Sequence, residues 1–260
     1  MQYKYSKINC IGKVGDSMSG KSLVRIFRYS IKDGEITMHK YRKRQPVLEI
    51  PATIDGIPVT RIDDDFLVSP MNHGEVRGRN STEEIILPPT IVSIGDRAFY
   101  NCENLKRVNL PEGLTEVGKS AFYGCTSLEN VVIPSSLTYL SDFMFENSGI
   151  KTITLPDGLT EIGAGAFQNC LNLTEIVIPH SVQWIRDRAF YGCKTLKTVI
   201  LPDSLEEVGE DAFSQCVAVR EVKFSERFLK ISNVDDIFNK LLYKQDLRAR
   251  EVLLKIPTLE

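Results

Sequence analysis

One arrangement of apolar and polar positions recurs along residues 86–224. In the stretch from Leu114 to Leu137, Leu114 and Val117 are apolar three apart, and Gly118 follows as a turn residue. Ala121 and Phe122 form a small-then-large apolar pair, and Gly124 and Cys125 make a corner. Leu128, Val131 and Ile133 complete the inward set, and Pro134 closes the unit. The spacing Leu-x-x-Val-x-Leu ends in the period-2 alternation of a β-strand. It returns in Leu105, Val108 and Leu110; Ile150, Ile153 and Leu155; Leu173, Ile176 and Ile178; Leu196, Val199 and Leu201; and Val219, Val222 and Phe224. The Ala-Phe segment is too short for an α-helix and predicts a turn or a 3₁₀ piece. Proline suits the coil corner because it has no N–H to give to a ladder.

The period is fixed. Prolines 88, 111, 134, 156, 179 and 202 are spaced 23, 23, 22, 23 and 23, and Phe99, Phe122, Phe145, Phe167, Phe190 and Phe213 keep the same step. A repeat of this length predicts a solenoid in which each coil buries its apolar face on its neighbours. The expected fold is therefore a right-handed solenoid of six or seven coils whose strands stack into a parallel β-sheet. One unit departs from the pattern. Ser148-Gly149-Ile150 is one residue shorter than the usual Cys-x-x-Leu, and Phe143-Met144-Phe145 puts bulk where a small residue normally precedes phenylalanine. A local kink is expected there.

Both ends read as caps. Leu23 to Ile31 alternates as a strand, Lys32-Asp33-Gly34 is a hairpin turn, and Glu35 to Tyr41 is the return strand; Asp-Gly between alternating runs is a strong hairpin signal. At the other end, Ser232 or Asn233 can cap a helix that opens with Asp235 and Asp236 and carries Ile237, Phe238, Leu241, Leu242, Val252 and Leu253. The organisation predicted is residues 1–47 as N-terminal segment and hairpin cap, 48–85 as a divergent first coil with a polar loop at 68–83, 86–224 as the solenoid, and 225–260 as a helical cap.

These residues resemble the BspA-like leucine-rich-repeat proteins of bacteria. The shared pattern is Ile/Leu-Pro, then Leu-Thr-x-Ile-Gly-x-x-Ala-Phe-x-x-Cys, then Leu-x-x-Val-x-Leu-Pro, and Ile50 to Ile62 looks like that family's divergent first coil. The resemblance implies a scaffold for binding proteins or host surfaces, placed at the cell surface or secreted.

Composition narrows the partners. The chain has 260 residues, a net charge of -2 and 42% hydrophobic residues, which suits a repeat protein with a sizeable core. Near-zero charge argues against nucleic acid, and Lys40, Arg42, Lys43 and Arg44 beside Tyr41 read as a solvated loop. No apolar stretch reaches the ~18 residues of a membrane span. The N-terminus has no signal-peptide run, so cytoplasmic is the default placement if the chain is complete. Five of the six cysteines, Cys102, Cys125, Cys170, Cys193 and Cys216, share one repeat position, with Ser148 as its sixth copy. A column of buried thiols is preferred over disulfides or a soft-metal site, because serine can replace a structural thiol but not a metal-binding thiolate.

One stretch looks catalytic. Gly15, Gly20, Lys21 and Ser22 match the G-x-x-x-x-G-K-S phosphate loop, in which backbone N–H groups wrap phosphates, the lysine reaches the terminal phosphates and the serine holds magnesium. Its context is wrong. The residues after it alternate as a strand where a helix is required, and about 28 residues separate Ser22 from the first coil, against ~100 to 150 for a nucleotide-binding domain. His39, His73 and His180 are isolated in sequence, and no Ser–His–Asp or Cys–His arrangement stands out.

The sheet face is the better candidate. Residues flanking the buried strand position point outward, giving a column of Asn109, Val132, Thr154, Val177, Ile200 and Lys223. Its neighbour is Arg107, Asn130, Thr152, Glu175, Thr198 and Glu221. The apolar members either form an interaction strip or reflect the strand preference of β-branched residues. On another face the position before Val117 reads Ser93, Glu116, Tyr139, Glu161, Trp184 and Glu207. Tyr139 and Trp184 there are either interface anchors or packed on the next coil. The function expected is a non-enzymatic, monomeric binding scaffold without a cofactor, whose partner is a protein or, as a second option, a glycan. A nucleotide-binding protein built on Gly15–Ser22 and a spacer without a ligand are the alternatives.

Overall fold

The computed structural model describes residues 27–41, 45–68 and 81–224. Within them the chain is a β-solenoid of about eight turns with two columns of strands. The first sheet collects the Leu-x-x-Val-x-Leu segments: Val47–Glu49, Glu84–Ile86, Arg107–Val108, Asn130–Val132, Thr152–Thr154, Glu175–Val177, Thr198–Ile200 and Glu221–Lys223. All pairs within it are parallel and in register, so Val131 lies against Ile153 and Val199 against Val222.

A second parallel sheet, which the sequence reading did not anticipate, runs along another side of every coil. Its strands are mostly two residues long: Ser93–Ile94, Glu116–Val117, Tyr139–Leu140, Glu161–Ile162, Trp184–Ile185 and Glu207–Val208, with the ladder interrupted between Glu116–Val117 and Tyr139–Leu140. Two residues show no alternation, which explains why the sequence pattern hides them.

The expected hairpin forms. Strands β1 (Phe27–Lys32) and β2 (Glu35–Tyr41) pair antiparallel across Asp33-Gly34, whose φ angles of 53° and 80° give the doubly left-handed turn that such short hairpins favour. β2 then pairs in parallel with Ile57–Ile62, which pairs with Ser93–Ile94. The hairpin thus extends the second sheet and covers its N-terminal edge. The helical cap, Cys10, most of the 68–83 loop and the Gly15–Ser22 segment lie outside the described residues. No α-helix occurs among the described residues.

The Ala-Phe segments are turns, not 3₁₀ helix. Arg97, Ser120, Phe143, Gly165, Arg188 and Asp211 all have φ between 52° and 59°. A second left-handed residue follows four positions on, as Asn101 does after Arg97, and between them every second N–H points at the next coil: Arg97 N donates to Lys119 O, Phe99 N to Ala121 O and Asn101 N to Tyr123 O, at 2.9, 2.9 and 2.7 Å. This third ladder satisfies backbone groups that a buried corner would otherwise strand.

A phenylalanine column and a cysteine column run through the interior. Phe66, Phe99, Phe122, Phe145, Phe167, Phe190 and Phe213 are buried in one stack, with consecutive centroids 4.8–6.3 Å apart. The five repeat cysteines are buried thiols outside any disulfide. The thiols of Cys125, Cys170, Cys193 and Cys216 donate back to the preceding coil's phenylalanine carbonyl, as Cys193 Sγ does to Phe167 O at 3.1 Å and Cys216 Sγ to Phe190 O at 3.0 Å. Ser148 takes the same place and sits 3.4 Å from Cys170 Sγ. Glycine marks the closest approach of coils: a Cβ on Gly118 would lie 2.4 Å from Asp96 N, and one on Gly209 2.3 Å from Asp187 N.

The irregular unit is closely packed. Met144 is fully buried where other coils have alanine. Gly165 lies under the Phe143 ring, where a Cβ would come within 2.5 Å of Cδ1. Gly149 closes the shortened corner against Thr126 O. The hydrogen-bonded ladder of the first sheet is interrupted on both sides of this region, after Arg107–Val108 and after Thr152–Thr154.

Candidate functional site

The outward face of the first sheet carries most of the residues singled out from the sequence. Val132 and Val177 project to solvent, 64% and 54% exposed, while Val131 and Ile176 between the outward residues are buried. Val132 stands beside Thr154, and Val177 beside Ile200. Ile86, 38% exposed, joins the same column one coil before Asn109. It was missed because its run, Ile85-Ile86-Leu87, reads as wholly buried. Ile200 is half-buried rather than exposed. From Val132 to Ile200 the column spans three coil steps, roughly 14 Å at the strand spacing.

Asn109 plays a different part from the one expected. Its side-chain amide accepts from Leu87 N and donates to Leu87 O, both at 2.8 Å. The amide stands in for the backbone at the place where the strand ladder breaks off, so it is spent on the fold rather than offered to a partner.

The second outward column is polar. Arg107 pairs with Glu84 at 2.8 Å, and the guanidinium's hydrogen bond holds the Glu84 carboxyl below the usual range. Thr152 donates to the side chain of Asn130. Glu175 is exposed, Thr198 donates to Glu221 at 3.4 Å, and Lys223 pairs with the same carboxylate. Lys106–Glu83 and Lys151–Glu129, at 2.8 and 2.7 Å, extend this border. The face is an apolar strip edged by paired charges.

On the second sheet the two aromatic residues differ. Trp184 is half-buried and lies under Arg186, whose guanidinium carbon is 5.8 Å from the ring centroid. Tyr139 is 41% exposed. A tyrosine column along the Ala-Phe corner had escaped the sequence reading: Tyr100 and Tyr123 stack at 4.6 Å, and Asn147 donates to Tyr123 Oη at 2.9 Å.

The structure also assembles a Ser–His–Asp trio that the sequence concealed. His39 Nδ1 is 2.5 Å from Asp63 Oδ2, and His39 Nε2 is 2.8 Å from Ser30 Oγ. The register shift in the hairpin between Arg28 and Tyr29 places the extra residue on β2 at His39. The trio ties both hairpin strands to the end of the first coil. Lys40 is likewise no solvated loop residue: it lies in β2 and donates to Asp65 O and Val68 O. Burial lowers its ammonium pKa against the pull of Asp65 and Asp63. Downstream of the phosphate-loop-like segment, the first described element is the antiparallel strand β1.

Recurrence of the Leu-Pro…Ala-Phe-x-x-Cys unit in a stacked parallel solenoid is matched by the family model for the BspA type leucine rich repeat region, in six copies over residues 77–197 and 160–240. The chain belongs to that family. Among solved structures it is similar to the leucine rich repeat protein of T. pallidum, at 26% identity over 84% of this chain and 94% of that one, with a TM-score of 0.67. A leucine-rich repeat protein from Bacteroides capillosus is 25% identical over 50% of this chain and 94% of its own, with a TM-score of 0.41. A leucine rich cell surface protein from Faecalibacterium prausnitzii is 17% identical over 85% of this chain and 97% of its own, with a TM-score of 0.36. No curated protein matches the chain. Proteins built from such repeats are generally non-enzymatic interaction scaffolds, and the BspA-like ones are commonly bacterial surface or secreted proteins. No helix of the described residues is long and apolar enough to cross a membrane.

Proposed function

We propose that this protein is a non-enzymatic scaffold that binds another protein on the outward face of its first sheet. Val132, Val177 and Ile200 make the apolar contacts, and Arg107, Thr154 and Glu175 form the polar surround. The observation that carries this reading is the exposure of Val132 and Val177 on strands whose other apolar side chains point inward. A β-branched residue gains strand propensity at an outward position, but the paired charges that edge this column give it the apolar-core, polar-rim layout of an interface. The common surface or secreted setting of the family fits a contact role.

The test is a triple variant, Val132→Lys, Val177→Lys and Ile200→Lys, immobilised beside the unaltered chain and a control with Thr115→Lys, Thr138→Lys and Gln183→Lys. The reading expects partner capture to be lost in the first and kept in the control, with both retaining the circular-dichroism spectrum. Equal capture by all three rejects this face.

A further inference from the structure

The second sheet holds an internal example of guanidinium recognition. Arg186 lies over the Trp184 ring and forks both oxygens of Glu161 at 2.7 and 3.0 Å, with Glu207 reached at 3.4 Å. Glu161, Trp184 and Glu207 are stacked in register on consecutive coils. The acid precedes the aromatic residue by one coil, and the arginine follows the aromatic residue by two positions.

Two coils earlier the acid and the aromatic residue return without the base. By repeat position Glu116 takes the place of Glu161, Tyr139 that of Trp184, and Ser141 that of Arg186, although the strand ladder that joins Glu161 to Trp184 is interrupted between Glu116 and Tyr139. Tyr139 is 41% exposed and Glu116 is exposed. Ser141 turns its hydroxyl to Gly118 O at 2.8 Å, so it adds no group to the slot. The base nearest in sequence, Lys119, is held by Asp142 at 2.8 Å. Burial raises the Tyr139 hydroxyl pKa, and the Glu116 and Asp96 carboxylates raise it further, a sign of a negative field at the ring. A face of this charge, with an open aromatic ring, suits a cationic side chain.

We propose that Glu116 and Tyr139 capture an arginine side chain from a basic, extended segment of a partner protein, in the arrangement that Arg186 adopts on Glu161 and Trp184. Arginine rather than lysine is specified, because a planar guanidinium can stack on the ring while it forks the carboxylate. The slot lies on a different sheet from the face assigned above, so the two surfaces fail or succeed independently.

The experiment uses the whole chain and fluorescein-labelled Gly-Gly-Arg-Gly-Gly-Arg-Gly-Gly, read by anisotropy at low salt. Peptides with lysine or citrulline in place of arginine serve as comparators. Saturable binding of the arginine peptide is expected. It should weaken about tenfold in Tyr139→Ala and in Glu116→Gln, roughly 1.4 kcal/mol each. Ser141→Arg should abolish it by filling the slot from within, and thermal unfolding of each variant shows that the coil persists. The Val132, Val177 and Ile200 triple variant should bind the peptide unchanged. Absence of binding to the unaltered chain, equal binding of the citrulline peptide, or full binding by folded Ser141→Arg would overturn the assignment.

Discussion

Replacing Phe167 with alanine interrupts the phenylalanine stack between Phe145 and Phe190. The ring is fully buried between Phe145, 5.7 Å away at 13°, and Phe190, 5.2 Å away at 10°. Deleting a buried phenylalanine side chain costs about 3–5 kcal/mol in lost transfer energy and cavity. Two stacked neighbours, each pair worth about 0.5–1.5 kcal/mol beyond area burial, put Phe167 near the top of that range. Because Phe167 N also donates to Ala189 O at 2.7 Å, the backbone is pinned and the void has little room to collapse. Total stability of a domain is about 5–15 kcal/mol, so a third or more of it is at stake. Urea unfolding followed by fluorescence of Trp184, the sole tryptophan, reports the coil next to the lesion, while far-ultraviolet circular dichroism reports every coil. In a chain stabilised by nearest-neighbour contacts, the two transitions should separate in Phe167→Ala and coincide in Phe167→Leu, which should lose only about 1–2 kcal/mol. A loss below about 1 kcal/mol in Phe167→Ala with coincident transitions would refute the stacked-column account.

Other outcomes follow from single contacts. Asn109→Ala leaves the Leu87 N–H and carbonyl without their side-chain partner and should cost about 1–3 kcal/mol in urea unfolding without weakening partner capture; lost capture with unchanged stability would reverse that assignment. Gly209→Ala places a methyl 2.3 Å from Asp187 N, whereas Gly158→Ala meets nothing nearer than 3.8 Å. The first should lower stability by about 1–3 kcal/mol and the second should not; equal melting temperatures would contradict the close-approach role. Burial pushes the Cys170 thiol from 9.0 up to about 12, so the folded chain keeps a proton that the unfolded chain sheds. Stability from this group is full below pH 9 and declines from pH 9 to about 12. Cys170→Ser should therefore lose less stability than the unaltered chain across that window, and identical pH slopes would count against it.

The sequence made the first sheet legible because its strands alternate around a buried valine or isoleucine at a constant step. The hairpin was legible because Asp33-Gly34 needs two left-handed residues that few other pairs supply. The second sheet was hidden, since a strand such as Glu116–Val117 is too short for periodicity and is defined by pairing across coils. The outward columns came out in correct order, but their chemistry depended on rotamers. Asn109 turns back to bond Leu87, Ile200 is half covered, and Arg186 closes over Trp184. Ser30, His39 and Asp63 meet only because a hairpin, a bulge and a parallel pairing bring together residues that are far apart along the chain.

The most direct test of the binding-scaffold account is amide hydrogen exchange of the intact chain with and without its captured protein. The account predicts new protection concentrated in 130–132, 152–154, 175–177 and 198–200. Protection confined to the Ala-Phe corner, or no change along the first sheet in a verified complex, would contradict it.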